Sequence, residues 1–171
     1  MYHERQRWSL CGVHAVNNVL QEPKYTKSDF DTVCLELAPD QHWLNPHRSM
    51  LGIGNYDVNV LMVLLERAKM QVQWQDGRKE LETTDLKDYG KDASLFGLIV
   101  NFPSNSLWGR LTKGRHWCAL LWQPSTEQWI NLNSDLKEPE PIGDMDDCAK
   151  QLKEWRSKQE CHILMVKKTQ V

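Results

Sequence analysis

Apolar positions in the first third of the chain recur at helical spacing. Leu10, Val13, Val16 and Leu20 fall on one face of a 3.6-residue repeat, and Pro23 closes the segment. Ser9 stands where an N-cap belongs, which puts Cys11 in the first helical turn. A second helix is expected from Ser28, with Phe30, Val33, Cys34 and Leu37 on one face and Pro39 as its stop. The stretch from Asp40 to Asn55 contains Asn45-Pro46, Gly52 and Gly54 and reads as loop. A third helix follows from about Asp57 to Lys69. It is apolar nearly all round (Val58, Val60 to Leu65), which predicts the most buried helix of the set.

The second half changes to strand-like runs. Gln71 to Trp74 is short and meets an Asp76-Gly77 turn signal, and Leu95 to Phe102 is an apolar run ahead of Pro103. His116 to Trp122 and Gln128 to Asn133 flank Pro124-Ser125 and predict a hairpin. A last helix shows Met145, Cys148, Leu152 and Trp155 on one face, and Cys161 to Val166 reads as the final strand. Helices first and antiparallel strands later predict an α+β fold, and 171 residues without repeat or linker predict a single domain over 1–171.

Charge and cysteine content narrow the function. With 21 Lys and Arg against 23 Asp and Glu the net charge is −2, which argues against nucleic acid or an anionic membrane surface as partner. The longest apolar stretch, Val58 to Leu65, is far below the ~18 residues of a membrane span, and the N-terminus lacks the apolar stretch of a signal peptide. A soluble, cytoplasmic protein is expected. Five cysteines without a CxxC pair argue against a disulfide scaffold and a four-cysteine zinc site, so the question becomes which thiol reacts. Trp117, Trp122 and Trp129 lie in strand-like segments and are expected to pack.

Cys11 is the strongest candidate, because unpaired N–H groups and the dipole at a helix start favour a thiolate. His116, at the start of a hairpin strand, is the candidate general base. Folding the hairpin brings it opposite Asn133 and Asp135, either of which can orient the second ring nitrogen. Gln6 offers a neutral amide to an oxyanion, alongside the Cys11 N–H. His14, three residues after Cys11, is a weaker base candidate because it leaves little room for substrate, and the Cys11–His14 spacing has no second pair to complete a zinc site. His3, His42, His47 and His162 have no evident partner in the chemistry and are expected to be structural or exposed, and Arg110, Lys113 and Arg115 form a modest basic patch that reads as a solvated loop.

The order Gln, Cys, distant His, Asn is that of papain-like thiol proteases, and the local sequence is more specific. His3-Glu4-Arg5-Gln6, Leu10-Cys11 and His14-Ala15-Val16-Asn17-Asn18-Val19-Leu20-Gln21 resemble the opening of the Josephin domain. Asn45-Pro46-His47 and the run Gly52 to Val60 are similar to the short, stand-alone members, and His116-Trp117 with Asn131-Leu132-Asn133-Ser134 match the second half. The resemblance covers Tyr2 to about Val166. It implies a papain-like fold with an antiparallel sheet packed against the N-terminal helices. It also implies a cysteine-dependent deubiquitinase that cuts after the C-terminal glycine of ubiquitin through a thioester, acting on ubiquitin chains or ubiquitinated proteins with no cofactor and no metal. The roles it implies are nucleophile for Cys11, general base and acid for His116, orienting residue for Asn133 and oxyanion donor for Gln6. Substrate contacts are implied at Tyr25, Val58, Asn59 and Trp117. Short members often carry Asp where this chain has Asn133, and Ala68 stands where the ataxin branch has a tryptophan. Two other readings are a ubiquitin-binding module with a mis-set triad, and a Cys-His-Asn enzyme with a different acyl donor.

Overall fold

The structure is a computed structural model and describes residues 1–7, 9–41, 45–49, 54–75, 95–103, 115–158 and 161–169. Among the described residues, six strands form one antiparallel sheet: β1 (Met70–Gln75), β2 (Leu95–Pro103), β3 (Arg115–Gln123), β4 (Gln128–Asn131), β5 (Glu140–Gly143) and β6 (His162–Lys168). Their order across the sheet is β1-β6-β2-β3-β4-β5. β5 was not legible as a strand. It contains Pro141 and half-exposed residues, and a strand lacking one N–H donor is tolerated at a sheet edge. The expected Asp76-Gly77 turn lies outside the described residues.

Helices α1 (Cys11–Leu20), α2 (Lys27–Leu37) and α3 (Val58–Arg67) cover one face, and α4 (Met145–Lys158) the other. On the first face Val16, Val19, Phe30, Leu61 and Leu64 meet Ile99, Ala119 and Leu164; on the second, Cys148 and Leu152 meet Leu98, Val100, Leu120 and Trp129. Leu98, Ile99 and Val100 are therefore buried in succession, the mark of a strand covered on both sides.

α3 is not the most buried helix. Only Val60, Leu61, Leu64 and Leu65 are buried there, whereas α1 is enclosed from Cys11 to Val19. Position outweighs composition: α1 lies on the central strands β2 and β3, and α3 lies over the edge strand β1. α2 starts at Lys27 because Thr26 and Asp29 form a capping box, and Asp57 caps α3 by accepting from the N–H groups of Asn59 and Val60.

Ser9 does not cap α1. The helix begins at Cys11 with Leu10 in the N-cap position and no side-chain cap. The Ser9 carbonyl accepts the Asn55 N–H at 3.1 Å, and Ser9 forms a parallel bridge with Gly54. Gly54 has φ +123°, and a Cβ there would lie 1.9 Å from the Ser9 oxygen, so only glycine fits this approach. The entry to α1 is thus fixed by tertiary pairing.

Candidate active site

The β3–β4 hairpin delivers the imidazole. Leu120 pairs with Asn131. Continued past the strand ends, that antiparallel register puts His116 opposite the loop from Asn133 to Asp135. His116 Nε2 donates to Asn133 Oδ1 at 2.7 Å and lies 3.7 Å from Asp135 Oδ2. The Cys11 side chain lies near enough to the His116 ring to be the largest influence raising its pKa. With Nε2 committed to Asn133, Nδ1 is the nitrogen left for the thiol. By alternation His116 shares the α4 face with Cys118 and Leu120, and the Phe102 ring packs against it with centroids 5.5 Å apart. Its place at the strand end still lets it meet Cys11 at the start of α1.

Cys11 and His116 are 3% and 6% exposed. Burial works against a charged imidazole, but the Cys11 side chain, the Asn133 hydrogen bond and the Asp135 charge overcome it, and the His116 pKa is raised above its ordinary value. The other four thiols are free, buried and pushed upward by that burial: Cys34 and Cys148 to about 12, Cys161 to about 11, and Cys118 in the same direction.

The loop after β4 also holds Gln6. Asn131 Oδ1 accepts the Asn133 N–H at 3.0 Å, and Asn133 Oδ1 accepts the Asp135 N–H at 3.1 Å. Ser134 donates its hydroxyl to Gln6 Oε1 at 2.8 Å, and its carbonyl accepts the Gln6 N–H at 2.7 Å. Fixing Oε1 as acceptor assigns the Nε2 group of Gln6 as the donor end of the amide. The first turn of α1, uncapped by any side chain, supplies a second set of donors at Cys11.

The N-terminal arm is laid along α1 by a polar network. Glu4 accepts from Tyr2 Oη (2.5 Å), His14 Nδ1 (2.6 Å) and Asn17 Nδ2 (2.9 Å), and its N–H donates to Asn18 Oδ1 at 2.6 Å. Asn18 Nδ2 reaches the Leu132 carbonyl at 2.9 Å, and His3 Nε2 lies 3.0 Å from the Asn133 carbonyl. His14 Nε2 accepts the Arg7 N–H at 3.3 Å, so both nitrogens of the rival base are occupied by the arm.

His3, His47 and His162, expected to be structural or exposed, are half-buried and each has a partner. His47 Nδ1 bonds the Asp57 carboxylate at 2.7 Å, and His162 stacks on Trp74 with centroids 5.6 Å apart; His42 lies outside the described residues. Arg115 bonds Asn101, while Arg110 and Lys113 lie outside the described residues. Among the described residues no group of three His, Cys, Asp or Glu is arranged to hold a metal ion, and no helix is long and apolar enough to cross a membrane.

Tyr25 is half-buried between α1 and α3, with its hydroxyl on the Leu64 carbonyl at 2.9 Å. Val58 and Asn59 lie in the first turn of α3, Val58 half-buried and Asn59 exposed. Trp117 is buried behind α1. Its Nε1 donates to the Tyr56 carbonyl at 2.9 Å, and it helps line a recess of about 410 Å³ with Tyr56, Val58, Trp74 and Arg115. Glu4, Ser134 and the Ser9–Gly54 contact were missed in the sequence. Ser134 adjoins Asn133, but nothing in the spacing announces a partner 128 residues away.

Comparison with known sequences gives the family. The chain matches the Josephin family over residues 6–167. It is 42% identical to mouse Josephin-2 over 169 residues, covering 97% of this chain and 85% of that one, and 41% identical to human Josephin-2 with the same coverage. Chicken ataxin-3 is 25% identical over 152 residues, covering 84% of this chain and 39% of that one. On a match spanning nearly its whole length, the chain belongs to the Josephin family, whose domain has the papain-like fold.

Proposed function

We propose that this protein is a thiol-dependent deubiquitinase that hydrolyses isopeptide or peptide bonds at the C-terminal glycine of ubiquitin. Josephin homologues are deubiquitinating cysteine proteases. The observation that carries the reading is the convergence of four side chains from distant segments: Cys11 on His116, His116 on Asn133, and Gln6 on the residue next to Asn133.

In the mechanism this supports, His116 Nδ1 takes the Cys11 proton, and Asn133 holds the ring in the tautomer that leaves Nδ1 available. The thiolate attacks the carbonyl carbon of the ubiquitin terminal glycine. The Gln6 amide and the Cys11 N–H donate to the resulting oxyanion. The C–N bond breaks, the imidazolium proton passes to the departing lysine amine, and a thioester remains. His116 then takes a proton from water, the hydroxide attacks the thioester, and Cys11 leaves as thiolate to regain its proton from the ring. No external oxidant or metal enters this balance. Tyr25, Val58, Asn59 and Trp117 are the proposed ubiquitin contacts.

The test is hydrolysis of ubiquitin bearing a C-terminal fluorogenic amide. The wild-type chain turns it over, and Cys11→Ala abolishes turnover without unfolding the domain. Wild-type activity retained in Cys11→Ala contradicts the proposal.

A further inference from the structure

The residue that orients His116 is a neutral amide. Asn133 Oδ1 accepts from Nε2 at 2.7 Å, which fixes the ring but supplies no full charge to an imidazolium. A carboxylate stands close by. Asp135 Oδ2 is 3.7 Å from the same nitrogen, outside hydrogen-bond range and well within reach of an ion-pair attraction. Its placement is built into the loop, because the Asp135 N–H donates to the same Asn133 oxygen at 3.1 Å. The turn that aims Asn133 at the ring therefore aims Asp135 as well.

We propose that Asp135 is a positioning residue for the His116 imidazolium, its carboxylate supplying beside Nε2 the negative charge that the Asn133 amide lacks. Asn133 aims the ring and hydrogen-bonds it, and Asp135 adds the charge. The inference rests on reading Cys11 and His116 as the catalytic pair.

The groups around the ring, among the described residues, are few. α1 contributes Cys11, and the loop after β4 contributes Asn133 and Asp135. β2 contributes the uncharged Phe102 ring. The N-terminal arm contributes His3, which meets the Asn133 carbonyl at 3.0 Å. Arg115, the neighbour in β3, bonds Asn101. Asp135 is thus the carboxylate that faces the ring. Its side chain is 59% exposed, so water screens the attraction and the expected effect is a few-fold change.

The test compares Asp135→Asn, Asp135→Glu and the double variant N133D/D135N. In a Cys11→Ala chain, where no thiolate contributes, the His116 ring is titrated by NMR. Asp135→Asn is expected to move its midpoint to lower pH, Asp135→Glu to keep most of the wild-type position, and N133D/D135N to recover it by returning the charge to the ring from the neighbouring position. Raising the salt concentration narrows the gap between wild type and Asp135→Asn. With Cys11 present, the alkaline limb of ubiquitin-amide hydrolysis moves the same way, and kcat/KM above neutral pH falls about twofold to fivefold in Asp135→Asn. An unmoved midpoint in Asp135→Asn overturns the inference. So does an equal shift in Asp135→Glu, which makes the effect one of shape, or a double variant that recovers nothing. Absence of ubiquitin-amide hydrolysis by the wild-type chain overturns the proposed function alone, since the ring titration needs no substrate.

Discussion

Ser134 and Gln6 exchange two hydrogen bonds across 128 residues of chain: hydroxyl to Oε1 at 2.8 Å, and backbone N–H to carbonyl at 2.7 Å. One short loop therefore holds Gln6, the proposed oxyanion donor, through Ser134 and the imidazole through Asn133. Gln6→Ala is expected to lower kcat about 10²–10³-fold, the usual loss for one oxyanion donor. Ser134→Ala, which leaves the amide present but unanchored, is expected to lower it roughly twofold to tenfold. Because both act on the same donor, the double variant should be little worse than Gln6→Ala alone, which steady-state kinetics of all three variants will check. Simple addition of the two losses contradicts the coupling.

The raised His116 pKa, held up first by Cys11 and then by Asn133 and Asp135, sets the pH behaviour. The folded-state pKa of His116 is raised from 6.5, so the imidazolium persists above that pH and is lost as pH climbs through the raised value. Activity should accordingly hold through pH 6.5 and fall on the alkaline side. Asn133→Ala removes a bond to a charged ring worth about 1.5–3 kcal/mol, a loss of roughly tenfold to a hundredfold in kcat/KM, and moves the alkaline limb to lower pH. A pH–rate profile with an unmoved limb in Asn133→Ala sinks this account of the ring.

Glu4 ties the arm that carries Gln6 to α1. Its carboxyl is half-buried, and burial alone raises its pKa. The bonds from His14, Tyr2 and Asn17 outweigh that, so the folded pKa is lowered from 4.5. A depressed carboxyl contributes stability that is present above 4.5 and is lost as pH falls through the folded value. Glu4→Gln should destabilise the protein by about 1–3 kcal/mol at neutral pH and shrink the difference from wild type in the acid range, as followed by denaturant midpoints at several pH values. A gap that stays constant below pH 4.5 contradicts the linkage.

Gly54 tests whether tertiary pairing sets the start of α1. A Cβ at this position meets the Ser9 carbonyl at 1.9 Å, and the backbone is at φ +123°. Gly54→Ala should destabilise by about 1–3 kcal/mol or more and lower kcat beyond what the loss of folded protein explains, because the Ser9–Leu10 segment leads into Cys11. Thermal unfolding together with active-site-titrated kcat separates the two effects. A kcat unchanged per folded molecule sinks the positioning role.

Much of this was legible in the sequence, and what was not has a physical reason. α1, α2, the β3–β4 hairpin and the His116–Asn133 pairing follow from local periodicity and strand register, which nearby residues encode. Ser9 failed as a cap because its backbone was claimed by Gly54, a contact that spacing does not reveal. α3 was overestimated because apolar content predicts burial only where a face is covered, and α3 lies over an edge strand. β5 was missed because an edge strand with Pro141 needs no apolar alternation. The Glu4 and Ser134 networks were missed because side chains that meet across the fold leave no local signature.

The central claim is that Cys11 attacks the terminal carbonyl of ubiquitin with His116 as its base. The most direct measurement is reaction with a ubiquitin probe that carries an electrophile at its C-terminus, followed by mapping of the adduct by mass spectrometry. The account predicts one covalent adduct per chain, on Cys11, that is lost in Cys11→Ala and strongly slowed in His116→Ala. Binding of the probe without an adduct, or an adduct on any of the other four cysteines, contradicts it.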